Sequence, residues 1–303
     1  MRVVLLAGGT GSAKLAAGLQ SALEPGAVTV VTNTADDCVF WGLHVSPDTD
    51  SVLFRLAGMF NEESGFGVAG DTFAVRSMME RLGAPTWFAL GDRDLAFHLL
   101  RTEMLARGAR LTETALELGR RLGLATRVLP MSDDPVRTWL ATDEGALAFQ
   151  DYYVLHRARP RVTGVEYAGL DSARPSPEVV AALRSADLMV IGPSNPVVSV
   201  WPILHLVGAH LHRGRTVAVA PTVGGRSLKG PTVEMMTSLG RDPSPVGVAG
   251  EYRRLAGWFV LDAVDAAQAD AIRDLGYRVV TADTIMDGPA AAERLARVVL
   301  RRR

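Results

Sequence analysis

The sequence is poor in cysteine: Cys38 is the only one among 303 residues. A single cysteine excludes an internal disulfide and a zinc site built on several cysteines, and it is typical of a reducing compartment. No apolar run approaches the roughly 18 residues of a membrane-spanning helix, and no basic and apolar leader opens the chain. We therefore expect a cytoplasmic protein with no membrane partner.

The sequence also lacks an excess of charge of either sign. Its 32 Lys and Arg residues nearly balance 33 Asp and Glu residues, which gives a formal net charge of −1. Without a basic field, nucleic acid is an unfavourable partner, and any anion must be bound by a local site. A hydrophobic content of 48% provides for a substantial core in a chain of this length.

A glycine-rich turn follows the first apolar segment. Residues 3–6 form a continuous apolar run typical of a buried parallel strand, and a helical spacing of leucines starts just after Lys14. Between them lie Gly9, Thr10 and Gly11, where backbone N–H groups at a helix N-terminus can approach an anion. Lys14 adds a positive charge. We interpret the turn as a phosphate-binding loop; the alternative is a tight turn with no ligand.

This loop differs from two well-known phosphate-binding patterns. It is not a P-loop, because Ala13 stands where a glycine should precede Lys14 and no Ser or Thr follows the lysine. It is also an incomplete dinucleotide fingerprint, because Lys14 occupies the position of the third glycine. A nicotinamide oxidoreductase is therefore an alternative that the loop disfavours.

Strand and helix patterns alternate along most of the chain. After the first strand, we predict strands at residues 27–32, 86–90, 188–191, 216–220, 258–261 and 277–280, and a hairpin at residues 137–142 and 146–155. The predicted class is α/β, with a doubly wound, mainly parallel, Rossmann-like sheet between two helical layers. We assign residues 1–93 and 161–303 to this core, and residues 94–160 to an inserted helical and hairpin subdomain or lid.

Four aspartates follow the second predicted strand: Asp36, Asp37, Asp48 and Asp50. Beside a phosphate loop, such carboxylates would repel the substrate unless a cation neutralised them. Mg²⁺ prefers one or two carboxylates together with substrate phosphate oxygens. The alternatives are that Asp36 hydrogen-bonds a ribose, and that Asp48 and Asp50 stabilise the first turn of a helix capped by Ser46. Together, the four favour a metal.

Ligands of open α/β sheets lie beyond the carboxyl ends of the strands, and further polar residues follow later strands. A turn with Asp92, Arg93 and Asp94 precedes His98 and Arg101, which share one helix face suited to an anionic or polyhydroxylated substrate. A helix cap at Asp94 and an ordinary ion pair at Arg93 are the alternatives.

Two more loops offer hydrogen-bond donors. A turn fixed by two prolines carries Ser194 and Asn195, with Ser199 further on. Residues 224–231 place Arg226 and Lys229 among glycines, as a candidate phosphate clamp. A plain strand-to-helix connection and solvated loop charges are the respective alternatives.

Taken in order, these motifs resemble a known family. Over essentially the whole chain, the sequence is similar to 2-phospho-L-lactate transferase and its actinobacterial relative phosphoenolpyruvate transferase, enzymes of coenzyme F420 biosynthesis. The resemblance rests on residues 8–11 with 14–15, 33–37, 46–50, 90–95 with His98 and Arg101, 129–135, 192–199 and 229–231. Ala35 and Trp201 depart from residues usual in the family, which puts the local shape of the pocket in question.

The resemblance implies a magnesium-dependent transfer in which a ribityl hydroxyl of the deazaflavin Fo attacks a guanosine diphosphate conjugate and GMP leaves. It implies that Asp36 and Asp50 are metal ligands. The implied catalytic residues are Asp36, Asp50, Asp92 and Arg93. The implied substrate-binding residues are Gly9, Thr10, Gly11, Lys14, Asn33, Asp37, Asp48, Asp50, Asp94, His98, Arg101, Ser194, Asn195 and Lys229. A homodimer is also implied. The transferred acid, 2-phospholactate, phosphoenolpyruvate or 3-phosphoglycerate, is left open.

A related family offers a second function. Its members are nucleotide-sugar-binding regulators of carbohydrate and cell-wall metabolism, with a similar opening glycine loop and Ser-Asn-Pro turn. The charged turn at residues 91–94 and the block at residues 130–134 disfavour this alternative. Stabilisation by UDP-sugars, compared with stabilisation by GDP or Fo, distinguishes the two.

Overall fold

A computed structural model describes residues 1–301, with a seven-stranded sheet at its centre. The strands are β1 (Val3–Ala7), β2 (Val28–Thr32), β3 (Cys38–Phe40), β4 (Leu43–Val45), β5 (Arg127–Pro130), β6 (Arg137–Thr142), β7 (Gly145–Ala148), β8 (Val162–Ala168), β9 (Leu188–Ile191), β10 (Thr216–Val219), β11 (Thr222–Val223), β12 (Arg226–Ser227), β13 (Trp258–Asp262) and β14 (Arg278–Ala282). The helices are α1 (Gly9–Ala22), α2 (Pro47–Leu56), α3 (Ala74–Arg81), α4 (Asp92–Ala106), α5 (Leu111–Arg121), α6 (Pro177–Ser185), α7 (Trp201–Val207), α8 (Thr232–Ser238), α9 (Pro245–Tyr252), α10 (Ala269–Asp274) and α11 (Pro289–Arg301).

The central sheet is parallel throughout and has the order β5-β2-β1-β9-β10-β13-β14. From β1 the chain builds the sheet outward on one side, and from β9 it builds outward on the other. The order therefore reverses between β1 and β9, where open α/β sheets bind their ligands. This is the doubly wound Rossmann-like arrangement, and the predicted fold class is confirmed.

Alternate residues of β1 face two separate apolar layers. Val3 and Leu5 pack in the layer that contains Leu15 of α1, with α2, α5 and α11, whereas Val4 and Leu6 pack in the layer that contains α6, α7, α9 and α10. All five residues of β1 are buried. A continuous apolar run is what a parallel strand covered by helices on both faces requires.

The strand predicted at residues 86–90 is wrong. Leu90 packs with Phe40 and Val45 of the short antiparallel pair β3–β4, and the segment is irregular. A short apolar run does not distinguish a strand from a buried connection. The strand beside β2 is instead β5, which lies within residues 94–160. The division of the chain into a core and an insertion stays a prediction.

The predicted hairpin is confirmed for its first part. Strands β6 and β7 are antiparallel, but β7 ends at Ala148, and a π-helical turn occupies Asp151–Leu155. Strand β8, which the sequence patterns did not reveal, pairs with the other edge of β6. At the other end of the chain, residues 302 and 303 of the basic terminus lie outside the described residues. Within residues 1–301, no helix has the length and apolar content that crossing a membrane requires.

Candidate active site

The loops after β1 and β9 pack directly against each other at the point where the strand order reverses. A Cβ atom on Gly11 would lie 2.3 Å from the carbonyl oxygen of Pro193. The hydroxyl of Ser194 donates to the carbonyl oxygen of Gly8 and also contacts the hydroxyl of Ser12. The glycine loop is therefore needed for close backbone approach, and the Ser194 hydroxyl is engaged in holding the two loops together.

We expect Gly11→Ala to destabilise the protein by about 1–3 kcal/mol, because the added methyl group must displace the Pro193 backbone. Gly250→Ala is the matched control, since a Cβ there meets nothing within 4 Å. In the interior of α9, this change should stabilise the protein by roughly 0.5–1 kcal/mol. Chemical denaturation of both variants checks the prediction, and equal stability of the two would contradict it.

Asp48 links the glycine loop to the loop after β2. Its Oδ1 accepts a hydrogen bond from the N–H of Gly9 at 2.7 Å, and its Oδ2 accepts one from Asn33 Nδ2 at 3.1 Å. Asn33 Nδ2 also donates to the carbonyl oxygen of Val198 at 3.4 Å. The Asp48 carboxylate at the start of α2 thus contacts two loops directly and reaches a third through Asn33. In this structure the N–H of Gly9 is engaged by Asp48.

Asp36, like Asp37 and Asp94, is a buried carboxylate with one oxygen that accepts no hydrogen bond, and Asp36 is the one predicted to bind a metal. It is buried, and its Oδ1 has no hydrogen-bond partner. Burial, followed by the negative charge of Asp48, raises the pKa of Asp36 well above its ordinary value. A buried carboxylate of this kind is costly unless it is protonated or paired with a cation.

The donor set around Asp36 is too small for a metal site made of protein alone. In the described part of the chain, no group of three or more His, Cys, Asp or Glu side chains is arranged to hold a metal ion. Mg²⁺ commonly takes one or two carboxylates and completes its shell with water and substrate phosphate. The unpartnered oxygen of Asp36 fits that mode of binding.

Asp37 lies beside a hydroxyl and an imidazole. Ser46 Oγ donates to Asp37 Oδ2 at 2.8 Å, and His44 Nε2 lies 3.7 Å from the same oxygen. Ser46 precedes α2 as predicted, but its side chain makes no cap and serves Asp37 instead. Burial raises the pKa of Asp37 to about 8, lowers that of His44 to about 4 and raises that of the Cys38 thiol to about 12. Cys38 is therefore a poor nucleophile.

The metal-free protein should lose stability as the pH rises from about 4 to about 8. An unfolded Asp titrates near pH ~3.9, whereas burial raises the folded-state pKa of Asp37 to about 8 and of Asp48 to about 6. In the folded state these two carboxyls then bind more protons in this window, so the stability they contribute is full below about pH 4 and is lost as the pH rises through the folded values. The lowered pKa of His44, about 4 in the folded state, offsets part of this loss below pH ~6.5. Thermal unfolding in a chelator checks the slope, and Asp37→Asn should flatten its upper part. A slope unchanged by that substitution would speak against the assignment.

Asp50 is paired with Arg101 inside the protein. Arg101 Nη1 donates to Asp50 Oδ2 at 3.0 Å and Nη2 donates to Oδ1, so the contact is bidentate. His98 Nδ1 lies 3.7 Å from Asp50 Oδ2, and its Nε2 lies 3.2 Å from Asp94 Oδ1. Arg101 and His98 are each 1% exposed. Their visible role is to hold carboxylates, and substrate binding by this helix face stays a prediction.

Asp71 and Asp92 cap each other's helices. The Asp92 carboxylate accepts hydrogen bonds from the first two N–H groups of α3 at 3.0 Å each, and from the Thr72 hydroxyl, which contributes most to lowering the pKa of Asp92. Asp71 accepts the N–H groups of Arg93 at 2.8 Å and Asp94 at 3.0 Å, at the start of α4. The alternative of Asp94 as the cap of this helix is wrong, since Asp71 from another loop supplies the carboxylate.

Lys14 and Lys229 lie within electrostatic reach of each other, although distant in sequence. Lys14 Nζ donates to the carbonyl oxygen of Met286 at 2.7 Å, and Lys229 Nζ donates to that of Gly65 at 3.0 Å. Burial, followed by the charge of Lys14, lowers the pKa of Lys229. Asn195 Oδ1 is engaged locally, where it accepts the N–H at the start of the next turn at 2.9 Å. The two lysines thus form a small cationic region beside the glycine loop.

The structure connects most of the predicted residues through direct contacts. Three linked groups are visible, and they comprise Gly9, Asn33 and Asp48; Asp37, His44 and Ser46; and Asp50, Asp94, His98 and Arg101. Asp92 and Arg93 belong to the capping arrangement at the start of α4. Sequence reasoning missed His44 and missed that Asp71 caps α4, because both roles depend on partners that only the fold brings near.

The strand order, the glycine loop at its reversal point and the buried carboxylates define a Rossmann-like α/β protein with a polar site at the carboxyl ends of its strands. The sequence model of the family described as 2-phospho-L-lactate transferase CofD matches residues 3–291. The chain is 37% identical over 300 residues to a 2-phospho-L-lactate transferase from Methanosarcina mazei, covering 98% of this chain and 99% of the relative. The chain belongs to the 2-phospho-L-lactate transferase family.

Two further comparisons concern another transferase and the fold. The chain is 38% identical over 311 residues to a phosphoenolpyruvate transferase from Streptomyces griseus, covering 99% of this chain and 98% of the relative. A crystal structure of a upf0052 family protein from Bacillus halodurans superposes with a TM-score of 0.61 at 18% identity, covering 99% of this chain and 98% of that one. At that identity the likeness shows the fold alone.

Proposed function

We propose that the protein transfers a phospho-acid moiety, 2-phospholactyl or phosphoenolpyruvyl, from a guanosine diphosphate conjugate to the ribityl hydroxyl of Fo and releases GMP. In this step the hydroxyl oxygen bonds to the phosphorus that bears the acid, and the bond from that phosphorus to the bridging oxygen breaks. GMP leaves with that oxygen, and the hydroxyl proton passes to solvent water. Membership of a transferase family along nearly the whole chain supports the reaction class. The observation that supports a metal-assisted transfer is the buried Oδ1 of Asp36, which has no hydrogen-bond partner. Asp36 is within electrostatic reach of Asp48, the carboxylate that accepts the N–H of Gly9 in the glycine loop.

Mg²⁺ is the proposed cofactor, with Asp36 and Asp50 as its protein ligands. Asp36 offers a free oxygen. Both oxygens of Asp50 pair with Arg101, but a carboxylate has about four lone-pair sites and can accept a cation in addition. The ion would neutralise phosphate charge that these carboxylates would otherwise repel.

The remaining residues position the substrates in this proposal. Phosphoryl-type transfer requires mainly positioning and charge stabilisation, so fixed donors and cations suffice. Lys14 and Lys229 supply positive charge on the donor side of the site. Asp92 and Arg93 anchor the start of α4 on the Fo side, through their contacts with α3 and the Asp71 loop.

Product formation from defined substrates tests the proposal. The protein is mixed with Mg²⁺, Fo and, separately, the conjugates of 2-phospholactate, phosphoenolpyruvate and 3-phosphoglycerate, and the mass of the deazaflavin is followed. We expect one conjugate to yield a heavier deazaflavin with an equal amount of GMP, and a chelator to stop the reaction. No mass increase with any conjugate would refute the transfer, and stabilisation by UDP-sugars alone would favour a regulator.

Assembly and location are further parts of the proposal. A homodimer is expected from the family resemblance, and light scattering should give twice the chain mass of 32.4 kDa. A particle of single-chain mass would contradict it. Cytoplasmic location stays a prediction.

A further inference from the structure

Two aromatic rings are stacked in the segment after β7. The rings of Phe149 and Tyr153 are nearly parallel, with an interplanar angle of 6° and centroids 5.7 Å apart. Phe149 packs against the core, whereas Tyr153 is 37% exposed. The core therefore supports one ring, and that ring supports a second ring that reaches solvent.

Hydrogen bonding ties this segment to the acidic loop. Gln150, between the two aromatic residues in sequence, is buried, and its Nε2 donates to the carbonyl oxygen of Asp36 at 3.2 Å. The π-helical turn Asp151–Leu155 then carries Tyr153. The position of the ring is thus set by the same loop that carries the proposed metal ligand.

On its other side, Tyr153 approaches the loop that contains Lys229. The Tyr153 hydroxyl oxygen lies 3.9 Å from the place where a Cβ on Gly230 would stand. Burial, followed by the negative charge of Asp48, raises the pKa of Tyr153. Tyr153 therefore lies next to the loop that contains Lys229, on the rim where donor phosphates are proposed to bind, and within electrostatic reach of Asp48.

We propose that Phe149 and Tyr153 form a stacking platform for the planar base of the nucleotide donor. This inference rests on the proposed function, which supplies a donor with a guanine base. An exposed aromatic face stacks on any nucleobase, and its removal typically weakens binding about 5- to 150-fold per base. The location beside the Lys229 loop, to which the proposed function assigns the donor phosphates, points to the nucleotide and not to the deazaflavin as the occupant of the platform.

Calorimetric titration with GDP and Mg²⁺ tests the platform. Tyr153→Ala should weaken GDP binding about 10- to 100-fold, whereas Tyr153→Phe, which keeps the ring, should bind within about 2-fold of the wild type. Inorganic pyrophosphate, which has no base, should bind both variants as it binds the wild type. Trp139→Ala is the matched control, because Trp139 is 41% exposed on the neighbouring strand β6 and should leave GDP binding unchanged.

Three results would overturn the platform: unchanged GDP binding by Tyr153→Ala, an equal loss of GDP and pyrophosphate binding, or a loss of Fo binding, followed by its fluorescence, with GDP binding intact. Failure of the proposed function has a different signature. If Tyr153→Ala weakens GDP binding but the wild-type protein transfers nothing, the platform stands and the proposed reaction fails. A wild-type protein that does not bind GDP would overturn both.

Discussion

Asp36→Asn should abolish turnover and leave the protein at least as stable as the wild type. The asparagine side chain matches the carboxylate in shape but removes its charge, so a divalent cation loses a ligand. We expect the transfer rate to fall by at least about 100-fold, which corresponds to roughly 2.7 kcal/mol of barrier. Stability should not fall, because the substitution removes a buried carboxylate whose charge is repelled by Asp48 and whose Oδ1 has no partner.

Mass-detected transfer and thermal unfolding, measured on the same preparation, check both parts of this prediction. Asp270→Asn is the control, since the Asp270 side chain is 93% exposed and its pair with Arg273 lies on the surface. That variant should match the wild type in rate and melting temperature. Full activity of Asp36→Asn would show that Asp36 is not a metal ligand. A strong loss of stability would show that the Asp36 carboxylate is paired with a favourable partner in the folded protein.

Arg101→Leu should cause the largest loss of stability. The substitution leaves Asp50 as a buried carboxylate without its bidentate partner, and such a change typically costs about 3–5 kcal/mol. His98 lies close to Asp50, but only at 3.7 Å. We expect the melting temperature to fall by roughly 6 °C or more. The effect should be seen without substrate or metal, because the pair lies within the folded chain.

A double variant separates the lost pair from lost packing. Arg101→Leu combined with Asp50→Leu removes both charges, and replacing a buried ion pair by apolar side chains is often close to neutral. The double variant should therefore be more stable than Arg101→Leu. It should have no turnover, because Asp50 is a proposed metal ligand. Arg107→Leu, at the residue that follows the end of the same helix, is the control, since the Arg107 side chain is 75% exposed and its pair with Glu103 should be worth about 0–1 kcal/mol. Equal losses from Arg101→Leu and Arg107→Leu would contradict the buried pair.

Several features could be predicted from the sequence because they depend on neighbouring residues. The apolar run of β1, the glycine-rich turn that opens α1 and the start of α2 after Ser46 are local patterns, and the structure has each of them. The helix α1 begins at Gly9, earlier than the leucine spacing indicates. The α/β class follows from their alternation. The ordered motif blocks also pointed to the family, which the comparisons confirm.

Other features depended on contacts that spacing does not encode. Strand β5 replaces the strand expected at residues 86–90, because pairing with β2 and not local apolarity selects the edge strand. Asp71 and Asp92 cap each other's helices across 17 to 23 positions, which no cap motif describes. Helical periodicity places His98 and Arg101 on one face of α4 but does not give their partners Asp50 and Asp94, which only the fold brings to that face.

Local chemistry therefore determined which elements form and which residue types gather at the ends of the strands. The tertiary structure alone decided which charges meet. Arg101 reaches Asp50 across 51 positions, and Gln150 reaches Asp36 across 114. The physical reason is that a charge or an amide acquires its role from burial and from the partner within about 3 Å, and both are properties of the packed chain.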